Sequence, residues 1–160
     1  DRDLRAVHLA RRLVFYRRSY GGTNSADAIY LSCRDESEGF DENYLLGTLH
    51  AEFSSVLLRN HDRHFDREAF DAELPVGFAY SGTGVEVLHQ RGLLAPDPAL
   101  LRLGFLSRYA TRSRENDFNA FARWFMTRPE KLAALAAEHP AIARKAAIVR
   151  RFYAALLPSS

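Results

Sequence analysis

At 160 residues, nearly half of them hydrophobic and about a quarter charged, the chain is long enough to bury a core without disulfide or metal staples. Its net charge of +2 is too small to imply a nucleic-acid or membrane partner, and its basic residues, almost all arginine, are scattered apart from Arg11, Arg12, Arg17 and Arg18. Cys33 is the only cysteine, which excludes an intrachain disulfide and a cysteine-based zinc site, and no apolar run approaches the ~20 residues of a membrane span.

In chain order, Asp3 to Ser19 carries leucine, valine and aromatic positions at helical spacing with arginines between them, and predicts a first helix stopped by Gly21-Gly22. "AIYLSC", Ala28 to Cys33, is short, rich in β-formers and bounded by turn formers, and predicts a strand that ends on Cys33 as a buried small hydrophobe. The acidic loop "RDESEGFDE" follows. A helix is predicted from Glu42 to Arg59, where Leu45, Leu49, Phe53, Val56 and Leu57 form one apolar stripe at ~100° per residue.

The stretch after that helix is polar and broken by proline and glycine, with one helical turn expected around Arg67 to Glu73. The segment punctuated by Pro96 and Pro98 becomes helical near Glu115, where Phe118, Phe121, Ala122 and Phe125 repeat at i, i+3, i+4 and i+7. Thr127 is expected to cap a helix that ends before Pro140, and a last helix is expected from Ala141 to Leu156, with Ile142, Ala146, Ile148, Val149, Phe152 and Leu156 as its apolar positions. No repeat, low-complexity stretch or linker interrupts the chain. The expectation is a single domain over residues 1–160, α+β and mostly helical, with a small sheet.

Chemistry centres on "GTLHAEFSSVLLRNH", Gly47 to His61. A zinc-peptidase helix reads H-E-x-x-H, with two imidazoles one turn apart and a glutamate beside the first to act as general base. Glu52 supplies the glutamate, but Ala51 and Ser55 stand where the histidines belong, and His50 comes one place early. His50 and Glu52 fall on opposite flanks of the apolar stripe, so a regular helix cannot bring both to one ion. His61 and His64, at i, i+3, with Asp62 and Asp66 nearby, could form a second-hand site; against that stands the plainer reading of a solvated helix end. His8, His89 and His139 are isolated, and His139 reads as a helix end. A serine nucleophile at Ser54 or Ser55 lacks the sharp turn and free amides that an oxyanion hole needs, and "GTG" at Gly82 to Gly84 is too short for a phosphate loop.

Together, "LLGTLHAEFSSVLL" and, about sixty residues on, "GFLSRYATRSRENDFNAFARWF" resemble a family of bacterial zinc-binding metallopeptidases. That family is zincin-like, with a helix of the form T-x-H-H-E-F-x-H-x-L and a downstream G-F-V-S-x-Y-A-x-x-x-x-x-E-D-F-A-E. The resemblance covers Tyr44 to Phe125, half the chain, and its more distinctive part is Gly104 to Ala110 followed by Asp117-Phe118. It implies a zincin-like fold, with the family's glutamate at Glu52, its histidine pair at His50 and Ala51, its second ligand histidine at Ser55, and its downstream carboxylates at Asn116 and Ala120, with Asp117 retained. It also implies a bacterial, secreted or periplasmic setting; the residues themselves assign no compartment.

The positions expected to bind metal are therefore changed. Ala51 has no donor, Ser55 offers a neutral hydroxyl, and Asn116 an amide oxygen in place of a carboxylate. The expectation is a peptidase-derived, non-catalytic domain that binds a peptide or protein, with no cofactor and with Glu52 as a vestigial base held by a backbone amide or by Arg108 or Arg112. One alternative is an active metallopeptidase or metallohydrolase that holds zinc through an unorthodox set drawn from His50, His61, His64 and Asp117. Another is a purely structural or regulatory domain. If the resemblance holds, Phe118 and Phe121 anchor their helix in the core, Asn116 and Asp117 point toward Ser55 and Glu52 across a cleft, and Arg114 or Arg123 fills the vacated charge position.

Overall fold

A computed structural model describes residues 3–15, 17–33, 42–82 and 93–157. The acidic loop through residue 41, His89 and the end of the "GTG" stretch lie outside the described residues. The chain is a mostly helical α+β protein with a small mixed sheet. It divides into two compact units, Asp1–Asp62 and Arg63–Ser160.

The first unit carries the sheets. The strands are β1 (Ala6–Ala10), β2 (Leu13–Phe15), β3 (Arg18–Tyr20), β4 (Gly22–Asn24) and β5 (Ala28–Ser32), followed by helix α1 (Glu42–Asn60). The order β1-β5-β4 puts β5 in the centre, parallel to β1 and antiparallel to β4, while β2 and β3 form a separate antiparallel pair. Arg17, with φ 63, takes the left-handed conformation at the turn between β2 and β3.

The helix expected over Asp3 to Ser19 is thus a run of strands. The β-branched and aromatic residues Val7, Val14, Phe15 and Tyr20 suit a pleated surface, and pairing with β5, a non-local event, overrides a helical spacing that local sequence carries almost as well. Gly21 and Gly22 do not stop a helix. They let β4 lie close under α1: a Cβ on Gly22 would come within 2.6 Å of Thr48 Cγ2 and 3.0 Å of Glu52 Cγ. The strand at Ala28 is as expected but closes at Ser32, and Cys33 is exposed rather than buried.

Helix α1 lays its predicted stripe on this sheet. Ile29, Leu31 and Val56 are buried, with Leu4, Leu45, Leu49 and Phe53 against them. Burial of such side chains stabilises by about 1.5–3 kcal/mol each.

The second unit is helical: α2 (Arg67–Asp71), α3 (Pro98–Arg102), α4 (Arg114–Thr127), α5 (Pro129–Glu138) and α6 (Pro140–Ala155). Helix α3 was not apparent from its prolines, yet Asp97 caps it by accepting from Ala99 N at 2.9 Å, with Pro98 in its first turn. Ser113 caps α4 in the same way through Asn116 N. Thr127 is not a cap: it is the last residue of α4, and its hydroxyl donates to Arg123 O at 2.7 Å. Pro129 opens α5 behind Arg128, which makes no side-chain cap bond. His139 closes α5 and opens α6, as its place before Pro140 suggested.

The core of this unit is aromatic. Phe118 meets Phe65 and Phe152 edge-on at 5.1 and 5.2 Å between ring centroids, and Phe70 meets Phe121 at 6.2 Å. Phe118 and Phe121 are fully buried, as the helical spacing required. No described helix is long and apolar enough to cross a membrane.

Candidate functional site

Glu52 and Ser55 belong to the first unit, Asn116 and Asp117 to the second. On α1, Glu52 faces β4. Asn24 Nδ2 donates to Glu52 Oε2 at 2.6 Å, Arg59 Nη2 donates to Asn24 Oδ1 at 2.7 Å, and Arg59 Nη1 donates to Ser25 O at 2.7 Å. The carboxylate is thus tied to the sheet through an amide that is itself oriented by an arginine one helical stretch further on. Asn24 is thus one partner of Glu52 that the sequence did not single out, and its place two residues beyond the Gly21-Gly22 pair is the signal that could have found it.

At the two α1 positions where an H-E-x-x-H helix carries histidines, Ala51 is half-buried and Ser55 buried. Ser54, fully buried, donates its hydroxyl to Ala51 O at 2.7 Å, a back-bond that occupies it within the helix. His50 is half-buried, and loss of hydration holds its imidazole below the usual pKa of 6.5. His61 follows the end of α1 with Nε2 2.8 Å from Asp3 Oδ1, while Asn60 Nδ2 donates to the same oxygen at 3.1 Å. The hydrogen bond from His61, more than any other contact, holds the Asp3 carboxyl below its usual range. In the second unit His64 Nε2 accepts from Arg63 Nε at 3.2 Å. His8 stacks on Tyr30 at 4.7 Å.

Asp117 has an elaborate setting. It is fully buried on α4, and its Oδ2 accepts from Lys145 Nζ at 2.7 Å and from Tyr80 Oη at 3.1 Å. Lys145, on α6 and also fully buried, donates as well to Gly104 O at 3.2 Å, and its ammonium sits 4.2 Å from the Phe105 ring centroid and 5.2 Å from that of Phe70. Burial pushes the Asp117 carboxyl up to about 6, although Lys145 and Tyr80 both pull it down. Burial, and then the Asp117 charge, push the Tyr80 phenol up as well. Asp117 Oδ1 and Asn116 Nδ2 are buried without a hydrogen-bond partner.

Lys145 went unrecognised in the sequence, although the signal was present: it stands three residues after Ile142 and four before Val149, on the buried stripe of α6. Arg114 forks onto Asp71, with Nε 2.7 Å from Oδ1 and Nη2 on Oδ2. The "GFLSRYA" segment has a structural account within its unit. Gly104, with φ +82 and Ala141 Cβ only 2.9 Å from where its own Cβ would be, turns the chain so that its carbonyl meets Lys145. Phe105, Leu106, Ser107 and Ala110 are buried behind it.

The donor chemistry does not fit a zinc ion. Ala51 has no donor and Ser55 only a buried hydroxyl; Asn116 is neutral, and Asp117 is bound to an ammonium. In the alternative set, His61 is engaged by Asp3 and Asp117 by Lys145. Among the described residues no three His, Cys, Asp or Glu side chains are grouped to hold a metal ion. No family model, curated protein or solved structure matches the chain.

Proposed function

We propose that the chain is a peptidase-derived, zincin-like domain with a degenerate zinc site, which binds a peptide or protein segment without cleaving it. The observation that carries this reading is the engagement of Glu52. A general base is kept free to meet the water it deprotonates, whereas one oxygen of this carboxylate, Oε2, accepts a 2.6 Å hydrogen bond from Asn24 that ties it to the sheet. Its neighbours on α1 support the same reading, because Ala51 and Ser55 offer no imidazole to hold a zinc ion beside Glu52.

Binding is supported by β4. It is one of the two outer strands of the order β1-β5-β4, pairs on one side only among the described strands, and runs beside Glu52, so an extended segment added to its outer side would gain main-chain hydrogen bonds next to α1. The test is zinc content of untagged protein, measured by mass spectrometry, together with amide shifts of Gly22 to Asn24 on titration with extended peptides. The expected result is no stoichiometric zinc and shifts confined to β4 and its neighbours. One zinc per chain, with peptide hydrolysis that Glu52→Gln abolishes, overturns the reading in favour of an active metallopeptidase. Absence of both zinc and shifts favours a purely structural domain.

A further inference from the structure

The geometry points to a second copy of this chain as the partner of β1: two copies pair antiparallel along their β1 edges, centred on His8, and close a two-fold dimer. This edge lies across the sheet from β4, and the inference does not rest on the peptidase reading.

The main chain shows which groups face outward. Ser32 N donates to Gly21 O on one side of β5, and Cys33 N donates to Ala10 O on the other. Successive residues of a strand send their amides and carbonyls to opposite sides. Ala10 faces β5, so Ala6 and His8 face it too, and Val7 and Leu9 send N–H and C=O to the outer side. Among the described strands nothing pairs with that side of β1. Native edge strands are ordinarily blunted by a charge, a proline or a bulge. Ala6–Ala10, AVHLA, carries none of these, and its Val7 and Leu9 side chains are 43% and 67% exposed.

The sequence of the strand selects the partner. A two-fold axis brings one patch against itself, so the patch must be self-complementary. AVHLA reads almost alike in both directions about His8. In the antiparallel register centred there, Ala6 stands opposite the second copy's Ala10, and Val7 opposite its Leu9. The outward groups of these valines and leucines meet, and four main-chain hydrogen bonds form. A shift of two residues sets Leu9 against Arg5, whose N–H is taken by Asp27 O, or Val7 against Arg11, whose carbonyl accepts from Ser32 Oγ.

Both faces tolerate this register. Val7 and Leu9 are paired with Ile29 and Leu31, so their side chains lie on the sheet face that α1 packs against. The cross-strand Val7–Leu9 pairs extend that apolar face without a break. On the other face His8, stacked on Tyr30 at 4.7 Å, meets its copy at the axis. Arg5 and the second copy's Arg11 come opposite each other at each end, beyond the strand itself. Arg5 is 80% exposed and 3.6 Å from Asp27, which offsets part of that repulsion. Salt screens the rest, so the dimer tightens as salt rises. The two three-stranded sheets join through β1 and leave both β4 edges outward.

Sedimentation of the intact chain should show a concentration-dependent dimer, at roughly 10–100 μM for so small a contact, and tighter at higher salt. Leu9→Lys, at an exposed position, should weaken it by roughly tenfold or more with circular dichroism unchanged. Disulfide cross-linking in a Cys33→Ser background reads the register. His8→Cys should link two chains under mild oxidation, because opposed residues of a non-hydrogen-bonded pair stand ~4.5 Å apart between Cα atoms. Val7→Cys should not, since its two copies stand two residues out of register, beyond the ~7 Å limit. A chain that stays monomeric at roughly millimolar concentration overturns the proposal. So does a dimer indifferent to Leu9→Lys, or one in which His8→Cys fails to link or Val7→Cys links as readily. Open polymers, with cross-links between His8→Cys and Thr23→Cys chains, overturn it in favour of β1 docking on the β4 edge of the next copy.

Discussion

Lys145 Nζ lies 2.7 Å from Asp117 Oδ2, and neither side chain has any exposure to solvent. The pair joins α6 to α4, Tyr80 completes one side of it, and Gly104 O takes another ammonium proton. Removing one partner strands the other charge. Lys145→Met is therefore expected to destabilise the chain by about 3–5 kcal/mol, and Lys145→Met with Asp117→Leu to recover part of that loss. Urea denaturation of the single and double variants checks both outcomes.

The same pair sets a pH dependence. The folded Asp117 pKa, about 6, lies above its ordinary value of 3.8, so the folded state holds the proton more tightly than the unfolded chain does. Its contribution is then fully present below pH 3.8 and is lost as pH rises toward 6. A shift of about two pH units corresponds to ~3 kcal/mol between the two limits. Asp117→Asn removes the titrating group while keeping an acceptor for Lys145. Unfolding free energies from pH 3.5 to pH 7 should fall across about pH 4–6 in the wild type and lose that component in the variant.

His50 titrates in the opposite sense. Burial depresses its pKa below 6.5, so its contribution is fully present above pH 6.5 and is lost as pH falls through the folded value. His50→Gln should flatten the part of the stability profile just below pH 6.5 and leave the Asp117 component intact.

Much of the helical architecture was legible because it is local. The stripes on α4 and α6 repeat at helical period and fall on buried faces, and that of α1 packs on the sheet although Gly47 and Ser54 on its other side are buried too. The strands from Ala6 to Tyr20 were not legible, because "LRAVHLARRLVFY" satisfies a helical spacing nearly as well as an alternating one, and parallel pairing with a strand about twenty residues on decides between them. Proline hides α3 for a related reason: Pro96 and Pro98 punctuate the segment, although behind Asp97 Pro98 starts a helix. At the candidate site, Glu52 and Asp117 were legible as carboxylates on helices, but their partners were not. Asn24 and Lys145 stand 28 residues from Glu52 and Asp117 respectively, and a lysine on an apolar stripe conflicts with the rule that lysines are almost never fully buried.

Gly22 offers the most direct probe of how β4 holds Glu52. Its backbone passes so near α1 that an added methyl would stand 2.6 Å from Thr48 Cγ2 and 3.0 Å from Glu52 Cγ. Thr48 cannot swing away freely: it is buried and β-branched, and its hydroxyl donates to Tyr44 O at 2.7 Å. Gly22→Ala should therefore push β4 off the helix, at a cost of about 1–3 kcal/mol, and lengthen the Asn24 to Glu52 hydrogen bond. Thr48→Ser deletes the obstructing methyl and keeps the hydroxyl. Combined with Gly22→Ala it should restore most of the lost stability, leaving only the flexible Glu52 stem to adjust. Denaturation midpoints of the four proteins in this cycle give the coupling between the two sites. Near-zero coupling would mean that Gly22 is not held against Thr48.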